Sequence, residues 1–213
     1  MRHTRRPSIQ NVFKIAVYLE VMDFNSVEAK MAGIVTGIYN SPEVAHYPYH
    51  NLAHTEGVVT HVKEMAKHYG LSAADSFILS VAAWFHDIGH LYGDMKGHEE
   101  RGVVIMQDYL STISSDLTEA MSRCILATKL PSHPADLLEK IICDADTYHL
   151  GTLLFRTTDP LVEKEMMLRT GKVFADWHKK SLHLLEQHVF FTDYCRELLA
   201  QGKKDNIAWL RSS

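Results

Sequence analysis

The 213-residue sequence holds only three cysteines, Cys124, Cys143 and Cys195, with neither a CxxC pair nor the paired spacing of a zinc knuckle. A disulfide framework and a thiolate-rich structural zinc site are excluded, and a reduced, cytoplasmic compartment is the expectation. Proline (6) and glycine (11) are sparse and nowhere gather with serine into a linker, and no segment repeats. A single domain over residues 1–213 is therefore expected. No window approaches the ~18–20 apolar residues of a membrane span. The basic opening MRHTRRPSIQ is followed by Lys14, Glu20 and Asp23 rather than by the clean apolar core of a signal peptide, so neither export nor membrane insertion is expected. Positive charge is not in excess. Lys+Arg number 22 against Asp+Glu 26, a formal net charge of −4, which gives no general field for a nucleic acid polymer or an anionic membrane.

Strand-like alternation is almost absent as well. Apolar residues recur instead at three- and four-residue spacing, and with 46% apolar and 23% charged residues the chain reads as an all-α globular protein with a real core. Ser8–Asp23 and Ser26–Tyr39 read as helices opened by a capping serine. His54–His68 is a third, closed by Gly70. Ser72–His86 is a fourth, apolar on nearly every side and therefore buried. Further helical stretches are expected at 97–110, 116–128, 134–142, 160–170, 176–187 and 192–201.

Histidine is the unusual excess, at 14. The chemistry concentrates in three segments: YHNLAH (Tyr49–His54), FHDIGH (Phe85–His90) and CDADTYHLG (Cys143–Gly151). Near each, an apolar segment meets imidazole or carboxylate: His50 and His54, His86 and Asp87 with His90 beyond, Asp144 and Asp146. Burying such groups is costly unless they pair or bind a cation, so their convergence on a metal accounts for the pattern economically. Imidazole and carboxylate without thiolate suit a divalent ion such as Mn, Mg, Zn, Fe, Co or Ni.

The order YHNLAH, AAWFHDIGH, LATKLPSH, DADTYHLG resembles the HD-domain metal-dependent phosphohydrolases, closest to their small bacterial members, over roughly Tyr47–Leu154. The first two pieces are also similar to the cyclic nucleotide phosphodiesterases. The resemblance implies a phosphodiesterase-like helical bundle. It also implies His54, His86, Asp87 and one acid of the Asp144/Asp146 pair as metal ligands, Asp146 being favoured and Asp144 the fallback. It implies that His50 protonates the leaving oxygen and that His90 stands behind the ligands or beside a bridging water. His98, in HEERG, matches a segment through which binuclear members hold a second metal. Those members often carry a histidine directly before the threonine that is Thr128 here, whereas this chain has Ala127; His133 is the substitute nearest in sequence.

The expected activity is metal-dependent hydrolysis of a small-molecule phosphate ester, a nucleotide or cyclic nucleotide, by metal-activated water, with His50, His90 and Asp87 in the chemistry. Homo-oligomers are compatible with the sequence. Two other classes compete: a diiron oxygenase on the same scaffold, and a regulatory module that binds a nucleotide without turnover. Lys96, Arg101, Lys129 and Arg156 are candidates for gripping phosphate, although each is more simply a solvated charge. The plain structural readings are exposure for His61 and His68, and ordinary packing for His178, His183, His188, Trp84 and the Met166–Met167 pair; His149 is read the same way, with a place behind Asp146 as the alternative. Asp94 is read as solvating its loop, as is Glu99, with a lesser chance of nearing the metal.

Overall fold

The structure, a computed structural model, describes residues 23–212. The helix expected over Ser8–Asp23 lies outside the described residues but for its last residue. Among the described residues there are nine α-helices, two 3₁₀ turns and no strand, so the fold is all-α. Helix α1 (Phe24–Tyr39) is capped by Asp23, whose carboxylate accepts from Ser26 N at 3.2 Å, so Ser26 lies inside the helix instead of opening it. Helix α2 (Leu52–His68) is capped by Asn51, whose side chain accepts from His54 N at 3.1 Å. That bond starts the helix before His54 and puts His54 in its first turn.

Helix α3 (Ala73–Phe85) opens on Ser72, whose hydroxyl accepts from Asp75 N, and every residue from Phe77 to Phe85 is buried. It is the axis of the core, packed against α1, α2, helix α5 (Ser115–Ala127) and helix α6 (Leu137–Asp146). Between them lie the 3₁₀ turn η1 (Ile88–Tyr92) and helix α4 (His98–Tyr109). A Cβ on Gly89 would collide with the His98 carbonyl, and one on Gly102 would approach Phe85 O at 2.8 Å. Only glycine permits this approach, which brings η1 with His90 directly against the start of α4 with His98.

After α6 and the 3₁₀ turn η2 (Tyr148–Gly151) come helices α7 (Phe155–Thr170), α8 (Trp177–Gln187) and α9 (Asp193–Ser212). Helix α7 opens at Phe155 rather than at Pro160, which lies inside it. Helix α9 runs through Gly202 and beyond the expected stretch of 192–201. A Cβ on Gly202 would strike the Gly151 carbonyl, so this glycine serves the contact between α9 and η2 and does not end the helix. Here Leu150, Phe155, Leu185 and Leu210 form a small second apolar cluster. No helix among the described residues is long and apolar enough to cross a membrane.

Candidate metal centre

Three buried helix ends meet at one point. Helix α2 brings His54 in its first turn, α3 ends in His86 and Asp87, and α6 ends in Asp146. One ligand atom from each of these four residues lies within 4.8 Å of the others. His54 Nε2 stands 3.1 Å from Asp146 Oδ1 and 3.3 Å from Asp87 Oδ2. His86 Nε2 stands 3.2 Å from Asp87 Oδ2 and 3.6 Å from Asp146 Oδ1.

The His86 ring is fixed by Nδ1, which donates to Ala83 O at 2.8 Å and leaves Nε2 directed at the cluster. Despite their proximity, His86 Nε2 and Asp87 Oδ2 make no aligned hydrogen bond and have no other partner. Buried polar atoms of native proteins are seldom left so. Atoms gathered around a shared cation are arranged in this way, converging on a centre instead of on each other. Electrostatics agree. Burial disfavours the His54 imidazolium, yet Asp146 and Asp87 hold its pKa up at about 9. Burial likewise opposes the His86 charge, and Asp87 and Asp146 raise that group well above its usual range. Against the opposing effect of burial, the neighbouring histidines hold both carboxyls low. The cluster thus attracts positive charge at neutral pH, and two imidazoles with two carboxylates are a donor set that could hold a divalent metal.

A second group, His50, Asp87 and His90, adjoins the first through Asp87. The His90 ring lies between those of His50 and His98, with centroids 4.1 and 3.7 Å away. Neither of its nitrogens has a hydrogen-bond partner, and burial pushes its pKa down to about 2, so it is neutral. His98 donates from Nδ1 to Met95 O at 2.8 Å, and its Nε2 is 3.6 Å from Asp87 Oδ1.

His50 precedes the helix that carries His54 and is held from another direction. Its Nδ1 lies 2.7 Å from Glu165 Oε1, while Glu165 Oε2 accepts from the backbone N–H groups of Tyr49 and His50 at 3.1 and 3.0 Å. Arg169 Nε donates to the same carboxylate at 2.8 Å, and its guanidinium lies over the Tyr47 ring at 3.5 Å. Glu165, only 1% exposed, is the residue that the sequence reasoning missed. Its one signal was an arginine four residues on, the pattern of an ordinary surface helix pair.

Burial raises the Glu165 carboxyl, but His50 and Arg169 together bring it from 4.5 down to about 2. A carboxyl depressed in the folded state contributes stability that is complete above about 4.5 and is lost as pH falls through about 2. Glu165→Gln is therefore expected to be less stable at neutral pH by on the order of 3 kcal/mol. Denaturant melts across pH should show the deficit shrinking between pH 4.5 and 2; a deficit constant through that window would contradict this assignment.

Several sequence candidates lie elsewhere. Asp144, the fallback ligand, accepts from Phe191 N, Thr192 N and Thr192 Oγ1 at 2.8, 2.8 and 2.6 Å, which commits its carboxylate to the segment leading into α9. His133 is exposed on the loop before α6 and belongs to neither cluster, so it does not replace the histidine missing before Thr128. Arg101 donates to the carbonyls of Gly89, Lys96 and Asp94, bracing the loop that carries His90 and His98. Lys129 pairs with Glu100 on the surface, Arg156 lies over Trp209 beside Asn206, and Lys96 is exposed. Glu99 is 5% exposed beside His98 instead of solvating its loop, whereas Asp94 is exposed. His61 is not a free surface ring: it stacks on Tyr148 at 3.6 Å. His149 lies 3.3 Å from the Tyr49 hydroxyl, and His188 faces Thr147 Oγ1 at 3.0 Å. Both border the cleft. Met166 and Met167 are half-buried, with the core position of α7 taken by Glu165.

Comparison with known proteins agrees with this geometry. The family model of the HD domain matches residues 51–151. The crystal structure of Bacillus subtilis YpgQ in complex with ADP is similar in fold, with a TM-score of 0.62 and 14% identity over 90% of this chain and 95% of that one. No curated protein gives a significant match. The matched residues 51–151 contain all four members of the His/Asp cluster, and over that span the chain is similar to the HD domain, an all-α fold whose members bind divalent metals.

Proposed function

We propose that the protein is a metal-dependent phosphohydrolase that cleaves the phosphate ester of a small molecule of the nucleotide class. His54, His86, Asp87 and Asp146 would hold the divalent ion. The observation that carries this reading is the pairing of two features across Asp87: a cage with unsatisfied ligand atoms on one side, and His50, steered by a buried carboxylate, on the other. A divalent ion bound in the cage supplies neutralising charge for phosphoryl oxygens and lowers the pKa of a bound water from 15.7 to about 7.

The remaining work falls to the chain itself. His50 donates a proton from Nε2 to the departing oxygen, the general-acid task that imidazole most often performs in enzymes. Glu165 fixes the tautomer by accepting at Nδ1 and stabilises the imidazolium, as the buried carboxylate of a catalytic triad does for its histidine. His90, neutral, stacked on His98 and tilted against His50, holds both rings in place. A second and weaker ion would sit beside Asp87 Oδ1, between His90 and His98, leaving Nε2 of His50 free for the proton. The ADP held by YpgQ, a protein of similar fold, supports the nucleotide class. Three buried free cysteines support a reducing compartment, the cytoplasm.

The test is phosphate or alcohol release from a panel of nucleotides and aryl phosphates, with the metal content measured on the same sample. Hydrolysis that requires Mn, Mg, Zn, Co or Ni and stops with a chelator is the expected result. No hydrolysis with any divalent metal would refute the reading, and a coloured, redox-active pair of irons would favour an oxygenase.

A further inference from the structure

The cleft at the metal centre has two lobes. The first, about 430 Å³, runs past His54 and Asp146 and is walled by Gly57, His61, Tyr148 and Leu161. The second, about 340 Å³, sets His50, His90 and His98 opposite Leu130, Val162 and Leu184. Tyr49, Asp146 and His149 border both lobes, so the Tyr49–His149 pair stands between them, at the cage. A phosphate placed at Asp146 therefore faces room on two sides.

That shape discriminates among phosphate esters. A monoester has one substituent, and a cyclic nucleotide carries both ester oxygens on one sugar, so each would fill one lobe and leave the apolar wall of the other in water. Among the described residues no lysine or arginine borders either lobe. The added charges of a polyphosphate would meet no side-chain cation there, whereas a diester brings only a single charge to the cage.

Resting on the phosphohydrolase reading above, we infer that the substrate is an acyclic phosphodiester whose two arms occupy the two lobes. His50 borders the second lobe and not the first, so the leaving arm lies in the second and the retained arm in the first. The oxygen of water bonds to phosphorus, and the bond from phosphorus to the leaving oxygen breaks with its electron pair on that oxygen. The leaving oxygen takes the proton of His50 Nε2, and the proton given up by the water restores His50. The products are a phosphomonoester in the first lobe and an alcohol or phenol leaving from the second. The His61 and Tyr148 rings, stacked within 9° of parallel in the first lobe, give a planar arm a flat neighbour.

Two esters with the same leaving group test this: bis(p-nitrophenyl) phosphate and p-nitrophenyl phosphate, each assayed with the metal-loaded protein. The diester should have the higher kcat/KM by about tenfold or more, the usual worth of a filled apolar pocket. Gly57→Leu narrows the first lobe. A Cβ at Gly57 meets nothing within 4 Å, and leucine favours a helix more than glycine does, so the variant is expected to fold. It should lower the diester-to-monoester ratio of kcat/KM by about tenfold. Calorimetric titration of diphenyl phosphate, a slow substrate, into metal-loaded His50→Ala should show the same weakening when Gly57→Leu is added. Preference for the monoester, or a ratio and an affinity indifferent to Gly57→Leu, would overturn the two-arm assignment while leaving the hydrolase intact. Cleavage of neither ester with any divalent metal would overturn both.

Discussion

Replacing Asp87 by alanine is expected to strip the protein of its metal and bring ester hydrolysis to the uncatalysed level. Its carboxylate is the one group shared by both clusters, with Oδ2 at 3.3 Å from His54 and 3.2 Å from His86, and Oδ1 at 3.8 Å from His90 and 3.6 Å from His98. At 4% exposure it is also the nearest counter-charge to a wholly buried His86. Breaking a buried charged pair from one side costs on the order of 3–5 kcal/mol, so the alanine variant should unfold at lower denaturant as well. Asp87→Asn keeps the shape without the charge. It should recover part of that stability and none of the metal. Metal analysis per chain and denaturant melts of both variants check this, and an alanine variant that retains its ion would contradict the cage.

His50→Ala should behave in the opposite way, keeping the metal and losing about 10²–10⁴ in kcat on an ester with a poor leaving group. His50 is outside the group of four, and its Nδ1 is engaged by Glu165, so the cage does not depend on it. A p-nitrophenyl ester leaves with little need of a proton and should be affected far less. Equal losses on both esters would remove His50 from the role of acid, and loss of metal would make it a ligand.

The cage was legible in the sequence on two grounds: its four residues stand at the start or end of helices that bury an apolar face, and the resemblance to the HD-domain phosphohydrolases implies them as ligands. A buried helix that terminates in His-Asp must satisfy those groups somewhere, and local sequence is enough to pose that question. Distinguishing Asp146 from Asp144 was harder. Both lie in the last turns of α6, and what separates them is a partner nearly fifty residues away, the backbone at Phe191 and Thr192. Glu165 was not legible for the same kind of reason: its charge is matched by His50 and by two amides over a hundred residues earlier in the chain, while its local pattern is that of a solvated helix. Arg101 was misleading in the other direction. A cation near a candidate phosphate site suggested a grip on substrate, yet three backbone carbonyls of its own loop hold it. The continuation of α9 past Gly202 likewise depended on a distant carbonyl, that of Gly151. Periodicity shows which faces are buried. Long-range hydrogen-bond partners determine which of the buried polar groups are free for chemistry.

The most direct measurement is anomalous diffraction at the absorption edge of manganese or cobalt, from crystals grown with that ion. A strong anomalous peak is expected between His54 Nε2, His86 Nε2 and the carboxylate oxygens of Asp87 and Asp146, at full occupancy, with any peak beside His90 and His98 weaker. A cage without anomalous density in crystals that bind the ion elsewhere, or one in which Asp144 or His133 coordinates the metal, would contradict that expectation.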